Sequence, residues 1–440
     1  AGDTTMLLPV SRQTLLRSAG AIPSHGPKCI HHRQKILPLG PAAILGQRFL
    51  RPSSPIGGKL FVCGWSQSGA LGLGNDVSKA DVPTEVPTEG AVVSVACGKK
   101  FTLFATDAGK VFAMGDNASG QLGSTAAGKT KSTAVQVEGL DGVKIVQVSA
   151  GLHHCLAVSD KGELFSWGWG GSSLPGGTVG CLGHGDTLPQ PTPKLVQGLH
   201  GVKVTQVASG SKHCMALADT GALYSWGMGE QGRLGHGNNT DVLAPQEIVE
   251  IPPMQLVRCG DHFSGCVDRE GLLYMWGKNK VGELGLEGIS VFAQESSPTL
   301  LEKDESFKGA SIADLGCGYS HCVALTTCGQ VFVWGSAGFS HYTPHRVNQF
   351  SMPDWPAERQ ARRVFAGNSY SAAISDDHNA FTWGRNKQML EGFSYVGATQ
   401  VLGHKKSSSS WGEVVPREVE NLAEVQSISC SHLHTAFIAR

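Results

Sequence analysis

The chain has 440 residues, of which 58 are Gly, 40% are hydrophobic and 16% are charged. Glycine at this level without a G-X-Y period excludes collagen, and the lack of an 18-residue apolar run excludes a single long membrane-spanning helix. Basic and acidic residues balance at 36 each, so net charge points to no partner.

The first element is a basic arm, residues 1–58. No acidic residue occurs between Asp3 and Asp76, whereas Arg12, Arg17, Lys28, Arg33, Lys35, Arg48, Arg51 and Lys59 do. Residues 76–440 carry 28 basic against 35 acidic groups, a mildly acidic body. An acid-free stretch rich in Arg, Leu, Ala and Ser has the composition of an organelle transit peptide. The expectation is therefore a mitochondrial (matrix) protein, with a nuclear or cytoplasmic location as the alternative. If the arm is retained, Arg12, Arg17, Arg33, Lys35, Arg48 and Arg51 are spaced to neutralise phosphates of an RNA.

From Leu60 onward one pattern recurs. It reads "LFVCGWSQSGALGLGN" at Leu60, "VFAMGDNASGQLGS" at Val111 and "LFSWGWGG" at Leu164. It continues as "LYSWGMGEQGRLGHGN" at Leu223, "LYMWGKNKVGELGLEG" at Leu273, "VFVWGSAGFSHY" at Val331 and "AFTWGRNKQMLEG" at Ala380. The Gly after the bulky residue falls at Gly64, Gly115, Gly168, Gly227, Gly277, Gly335 and Gly384, at intervals of 49 to 59 residues. A second motif, such as "VTQVASGSKHCMALADTG", precedes every copy but the first, and "VQSISCSHLHTAFIAR" ends the chain with no copy after it. Short runs alternating apolar and polar residues between Gly and Asp-Gly-type turns predict about four strands per period, one propeller blade. Joining the two incomplete ends makes seven whole blades over residues 59–440 and leaves no free terminal blade edge. Seven copies also make a phosphate-cradling reading of any one Gly-rich run untenable.

These marks resemble the regulator-of-chromosome-condensation family of seven-bladed propellers. They are G-x-x-H before a strand, then D-x-G-x-V/L-x-x-W-G-x-x-x-x-G-Q-L-G, best matched by "GSKHCMALADTGALYSWGMGEQGRLGHG" at residues 210–237. The resemblance implies an all-β fold, but members of one fold differ in function. In the family's exchange factor for a small GTPase, acidic and His side chains in the turns after the blade Gly act on the nucleotide. Here those turns hold Lys99-Lys100, Leu152-His153, Ser211-Lys212, Asp261-His262, Tyr319-Ser320 and Asn368-Ser369. Only Asp261 and His262 keep the exchange-factor character. A longer stretch at residues 167–186 resembles that factor's protruding wedge in position, or is a tolerated surface loop. The family's photoreceptor members use "GWRHT" turns, which this chain lacks.

His154, His213, His321 and His434 recur three residues after each turn start, but Phe101, Phe263 and Tyr370 replace them elsewhere. A metal ring would not accept Phe, so these histidines read as structural, bonding backbone near the turns. The twelve cysteines form no CxxC pair and read as reduced, buried thiols of an intracellular protein. No catalytic set, cofactor or metal is expected. The sequence therefore predicts a binding platform in a mitochondrial assembly that meets protein subunits and ribosomal RNA. Lys99, Lys100 and Lys212 should share one face with the arm's partner. The alternatives are a small-GTPase exchange factor and a scaffold in another large complex.

Overall fold

The computed structural model describes residues 57–440 except 172–176, 287–292, 302–306, 308, 337–355, 357–358, 386–388, 391–393, 396–400 and 405–411. The expected arm lies outside the described residues up to residue 56.

Seven antiparallel sheets follow one another along the chain, apart from a two-stranded hairpin inside the sixth repeat. Blade 1 comprises Val92–Cys97, Phe101–Thr106, Val111–Asp116 and Thr130–Gln136. Blade 2 comprises Ile145–Ala150, His154–Ser159, Leu164–Gly168 and Gln190–Leu195. Blade 3 follows with Val204–Ser209, His213–Ala218, Leu223–Gly227 and Val242–Glu247, and blade 4 with Met254–Cys259, Phe263–Asp268, Leu273–Lys278 and Gln294–Leu300. Three strands of blade 5 are described, Ile312–Cys317, His321–Thr326 and Val331–Gly335. Blade 6 comprises Ala361–Ala366, Tyr370–Ser375, Ala380–Arg385 and Gly412–Glu418.

Blade 7 is built from both chain ends. Ser427–Cys430 and His434–Ala439 pair onto Lys59–Trp65 and Lys79–Val86, with Lys59 opposite Ala439 and Gly64 opposite His434. The seven-bladed, end-closed architecture is as the repeats predict.

The core is not one body but seven layers, one between each pair of neighbouring blades. Between blades 1 and 2, Phe101, Leu103, Leu122 and Val148 enclose Trp167. Between blades 7 and 1, Leu60, Val62 and Ile438 meet Phe104 and Met114. Leu103 and Phe104 are sequence neighbours that serve different interfaces, since successive side chains leave a strand on opposite faces. This revises the simple expectation of strands alternating apolar and polar. Each blade's second strand is buried throughout, because both of its faces meet a neighbouring blade.

The repeated motif supplies the bolts between layers. The residue before each Leu-Gly pair offers its backbone carbonyl to the next blade. Trp167, Trp226, Trp276 and Trp334 donate their indole N–H to the carbonyls of Gln121, Cys181, Arg233 and Glu283, at 2.9–3.0 Å. A second-strand hydroxyl or thiol shares each carbonyl: Cys155, Cys214, Ser264 and Cys322 respectively. At the closing blade Cys63 stands in the Trp position, and its Sγ and the Thr435 hydroxyl converge on the Val401 carbonyl. Buried carbonyls must be paired, and this arrangement satisfies them while tying blade to blade.

Candidate binding face

The histidines form a second ring of latches. The Nε2 atoms of His213, His321 and His434 meet the hydroxyls of Ser264, Ser371 and Thr102 in the following blade, at 2.8–3.1 Å. His154 Nε2 meets the Cys214 thiol at 3.1 Å. Ser264 donates its own hydrogen to Arg233 O, so it accepts from His213, which fixes the Nε2–H tautomer. Tyr370 substitutes by meeting the Thr435 hydroxyl at 2.7 Å. Phe101 and Phe263 share apolar layers with Cys155 and Cys322, residues at that same position. The histidines are structural, as expected, but their Nε2 partners are side chains of the next blade rather than turn backbone. Burial holds them neutral: His154 is pushed down to about 3, and His321 and His434 to about 4.

The turns that follow each inner strand converge on one mouth. It is lined by Lys99, Leu152, Ser211, Asp261, Tyr319, Asn368 and His432, one residue from each blade, around a space of about 120 Å3. Backbone bonds knit adjacent turns: Leu152 N to Ser211 O, Ser211 N to Asp261 O, Asp261 N to Gly318 O, Tyr319 N to Gly367 O and Asn368 N to Ser431 O, at 3.1–3.3 Å.

The second residue of each turn is held from the third strand. Asp116 N donates to Lys100 O and Met228 N to Lys212 O, both at 2.9 Å. This contact explains the Gly of "WG". Gly115 and Gly227 have φ of +113° and +103°, and a Cβ there would lie 2.4 and 2.6 Å from those same carbonyl oxygens. Only glycine meets both conditions.

Lys99, Lys100 and Lys212 all act electrostatically on His153. Burial and then their charges hold its imidazole below the ordinary range, with Asp116 opposing. Lys212 Nζ also sits 5.6 Å from the centre of the Trp169 ring, a cation–π distance. Across the mouth Asp261 Oδ2 meets His262 Nε2 at 3.1 Å. Burial raises Asp261 to about 6 against the pull of Arg233, Lys278 and Lys99, and burial lowers His262 to about 4. Tyr319, 40% exposed, stands 6.2 Å from His262 and 6.0 Å from His432. Lys278 Nζ lies 5.6 Å from the Tyr319 ring. The aromatic members of this face, Trp169, Tyr319 and His432, lie outside the sites read from the sequence. The turn pairs already named Tyr319, and the position after each "WG" was the available signal for Trp169.

The remaining sites, Arg12, Arg17, Arg33, Lys35, Arg48 and Arg51, lie outside the described residues. In the longer stretch at residues 167–186, Gly171, Val179 and Gly180 are buried and Cys181 N donates to Gly170 O at 2.9 Å. Its ends therefore belong to blade 2, and residues 172–176 lie outside the described set.

The chain matches the RCC1-like domain over residues 176–440 and the regulator of chromosome condensation (RCC1) repeat over 57–105 and 108–158. Arabidopsis thaliana ultraviolet-B receptor UVR8 is 31% identical over 74% of this chain and 72% of its own length. The human RCC1-like G exchanging factor-like protein is 33% identical over 59% of this chain, which spans 56% of that protein. Saccharomyces cerevisiae Prp20p, described with its binding to Gsp1p and histones, superposes with a TM-score of 0.74 at 20% identity, covering 87% of this chain and 91% of its own. That last likeness bears on fold alone.

Proposed function

The chain belongs to the regulator of chromosome condensation (RCC1) family of propellers, and from that premise we propose that it is a non-enzymatic binding platform in a mitochondrial assembly. Its partner is the mitochondrial ribosome or that particle's RNA, met through the turn face and the basic arm. The observation that carries this reading is Lys212 Nζ lying over the Trp169 ring at 5.6 Å, on a face where Lys99, Lys100 and Lys212 all act on His153. Clustered lysines with an adjacent aromatic ring suit phosphates and unpaired bases. Co-sedimentation with mitochondrial ribosomes across a salt series tests it. Binding should weaken steeply with salt, and the Lys99→Gln/Lys100→Gln/Lys212→Gln variant should flatten the log–log slope by roughly 0.7–0.9 for each phosphate it no longer neutralises. Salt-insensitive binding, or none, refutes it.

A second reading is exchange activity on a small GTPase, supported by the Asp261–His262 contact at the mouth and by the name of the 33% identical human relative. Release of a fluorescent guanine nucleotide from mitochondrial GTPases, lost in Asp261→Asn, would establish it in place of the first.

A further inference from the structure

Cys317 ends the first strand of blade 5 and Cys322 is the second residue of the next, and they stand directly opposite each other in register. Between them the turn closes through Gly318 N to His321 O at 2.9 Å, so that pair is of the hydrogen-bonded kind. Alternation along an antiparallel ladder then makes Cys317/Cys322 the close, non-bonded kind, with Cα atoms about 4.5 Å apart. That separation lies within the range a disulfide spans. The two sulfurs already approach to 4.0 Å. The same position is filled in the other blades by Cys97/Thr102, Ala150/Cys155, Ser209/Cys214, Cys259/Ser264, Ala366/Ser371 and Cys430/Thr435. Blade 5 alone among the seven places two thiols there.

We propose that Cys317 and Cys322 form a redox-active dithiol at the channel mouth, oxidised to a disulfide by a hydroperoxide. The two sulfurs differ in access: Cys317 lines the mouth and is partly exposed, whereas Cys322 is fully buried. Cys317 gives up its thiol proton and its sulfur attacks the terminal peroxide oxygen; the S–O bond forms, the O–O bond breaks, and the leaving oxygen takes up that proton to depart as the alcohol (water, from hydrogen peroxide). Cys322 sulfur then attacks the sulfenic sulfur, the S–S bond forms, and hydroxide departs with the thiol proton as water. Two thiols and one hydroperoxide thus give one disulfide, one alcohol and one water. Oxidation removes the thiol hydrogen that Cys322 directs at Glu283 O, but the Trp334 indole holds that carbonyl at 2.9 Å, so the interface between blades 4 and 5 keeps a bolt. The inference does not depend on the partner proposed above.

The test treats the full-length chain carrying Cys328→Ser with graded hydrogen peroxide, alkylates the remaining thiols and measures the peptide holding both cysteines. Cys328 is exposed, so its oxidation in the unsubstituted chain calibrates the dose. The expected product is lighter by two hydrogens, unalkylated, and restored by a thiol reductant. In Cys322→Ser the sulfenic acid on Cys317 should persist and be trapped by a cyclic dione. The proposal is overturned if both thiols remain alkylatable at a dose that oxidises Cys328. It is equally overturned if Cys317 proceeds to sulfinic acid with Cys322 still a thiol, or if Cys322→Ser yields no trapped adduct.

Discussion

Replacing His434 by Phe, the residue that blades 1 and 4 carry at this position, tests the latch ring and its protonation together. His434 is fully buried, with Nε2 2.8 Å from Thr102 Oγ1 and Nδ1 3.1 Å from Ser431 Oγ. Thr102 donates to Ala70 O at 2.8 Å and so accepts from His434, while Ser431 donates to Nδ1. His434→Phe deletes both bonds and leaves the Thr102–Ala70 bond intact. At pH 7.5 the loss should be about 1–2 kcal/mol. Acid then changes the comparison. An imidazole at about 4 in the folded chain, against roughly 6.5 unfolded, contributes its full stability above pH 6.5 and loses it as pH falls towards 4. At pH 5 the unsubstituted protein has thereby lost about 2 kcal/mol through this one residue, a loss the Phe variant does not suffer. The gap between the two proteins should close or reverse. Urea midpoints measured at pH 7.5 and pH 5 report it directly. Phe101 and Phe263 each share an apolar layer with a cysteine at the position of Thr102, so adding Thr102→Cys should recover part of the loss at neutral pH. A gap of constant size from pH 7.5 to 5 would refute the assignment of a neutral, buried latch.

Removing residues 424–440 should abolish the cooperative thermal transition, because it strips two strands from blade 7; a retained transition would disprove closure by both ends. Trp226→Phe should cost about 1 kcal/mol or more, since it gives up the indole bond to Cys181 O, read as a lower urea midpoint. Excising residues 172–177 should leave the melting temperature unchanged, whereas extending the cut through the buried Val179 should lower it. Residues 1–58 fused to a fluorescent protein should direct it into mitochondria, and diffuse or nuclear fluorescence would count against import.

Much of the architecture is determined by the sequence alone, because it is carried by repetition. Seven bulky-residue–Gly pairs set the blade count, and the two unpaired half-repeats dictate closure, since a strand edge left open is costly. Repetition also puts Lys99, Lys100 and Lys212 at one equivalent turn, hence on one face. What repetition cannot decide is which side chains meet across neighbouring blades. The His213–Ser264 and Trp226–Cys181 contacts join residues 51 and 45 positions apart, through side chains whose direction depends on how one sheet lies against the next. Histidines that read as bonding nearby backbone therefore reach the following blade instead. The same tertiary packing decides that Lys99 lines the mouth while Lys212 lies against Trp169, and it buries both faces of strands whose alternation suggested one wet side. Local pattern fixes strand, turn and order; the pairing of faces is a non-local balance of burial and hydrogen bonding that exists only once the ring has closed.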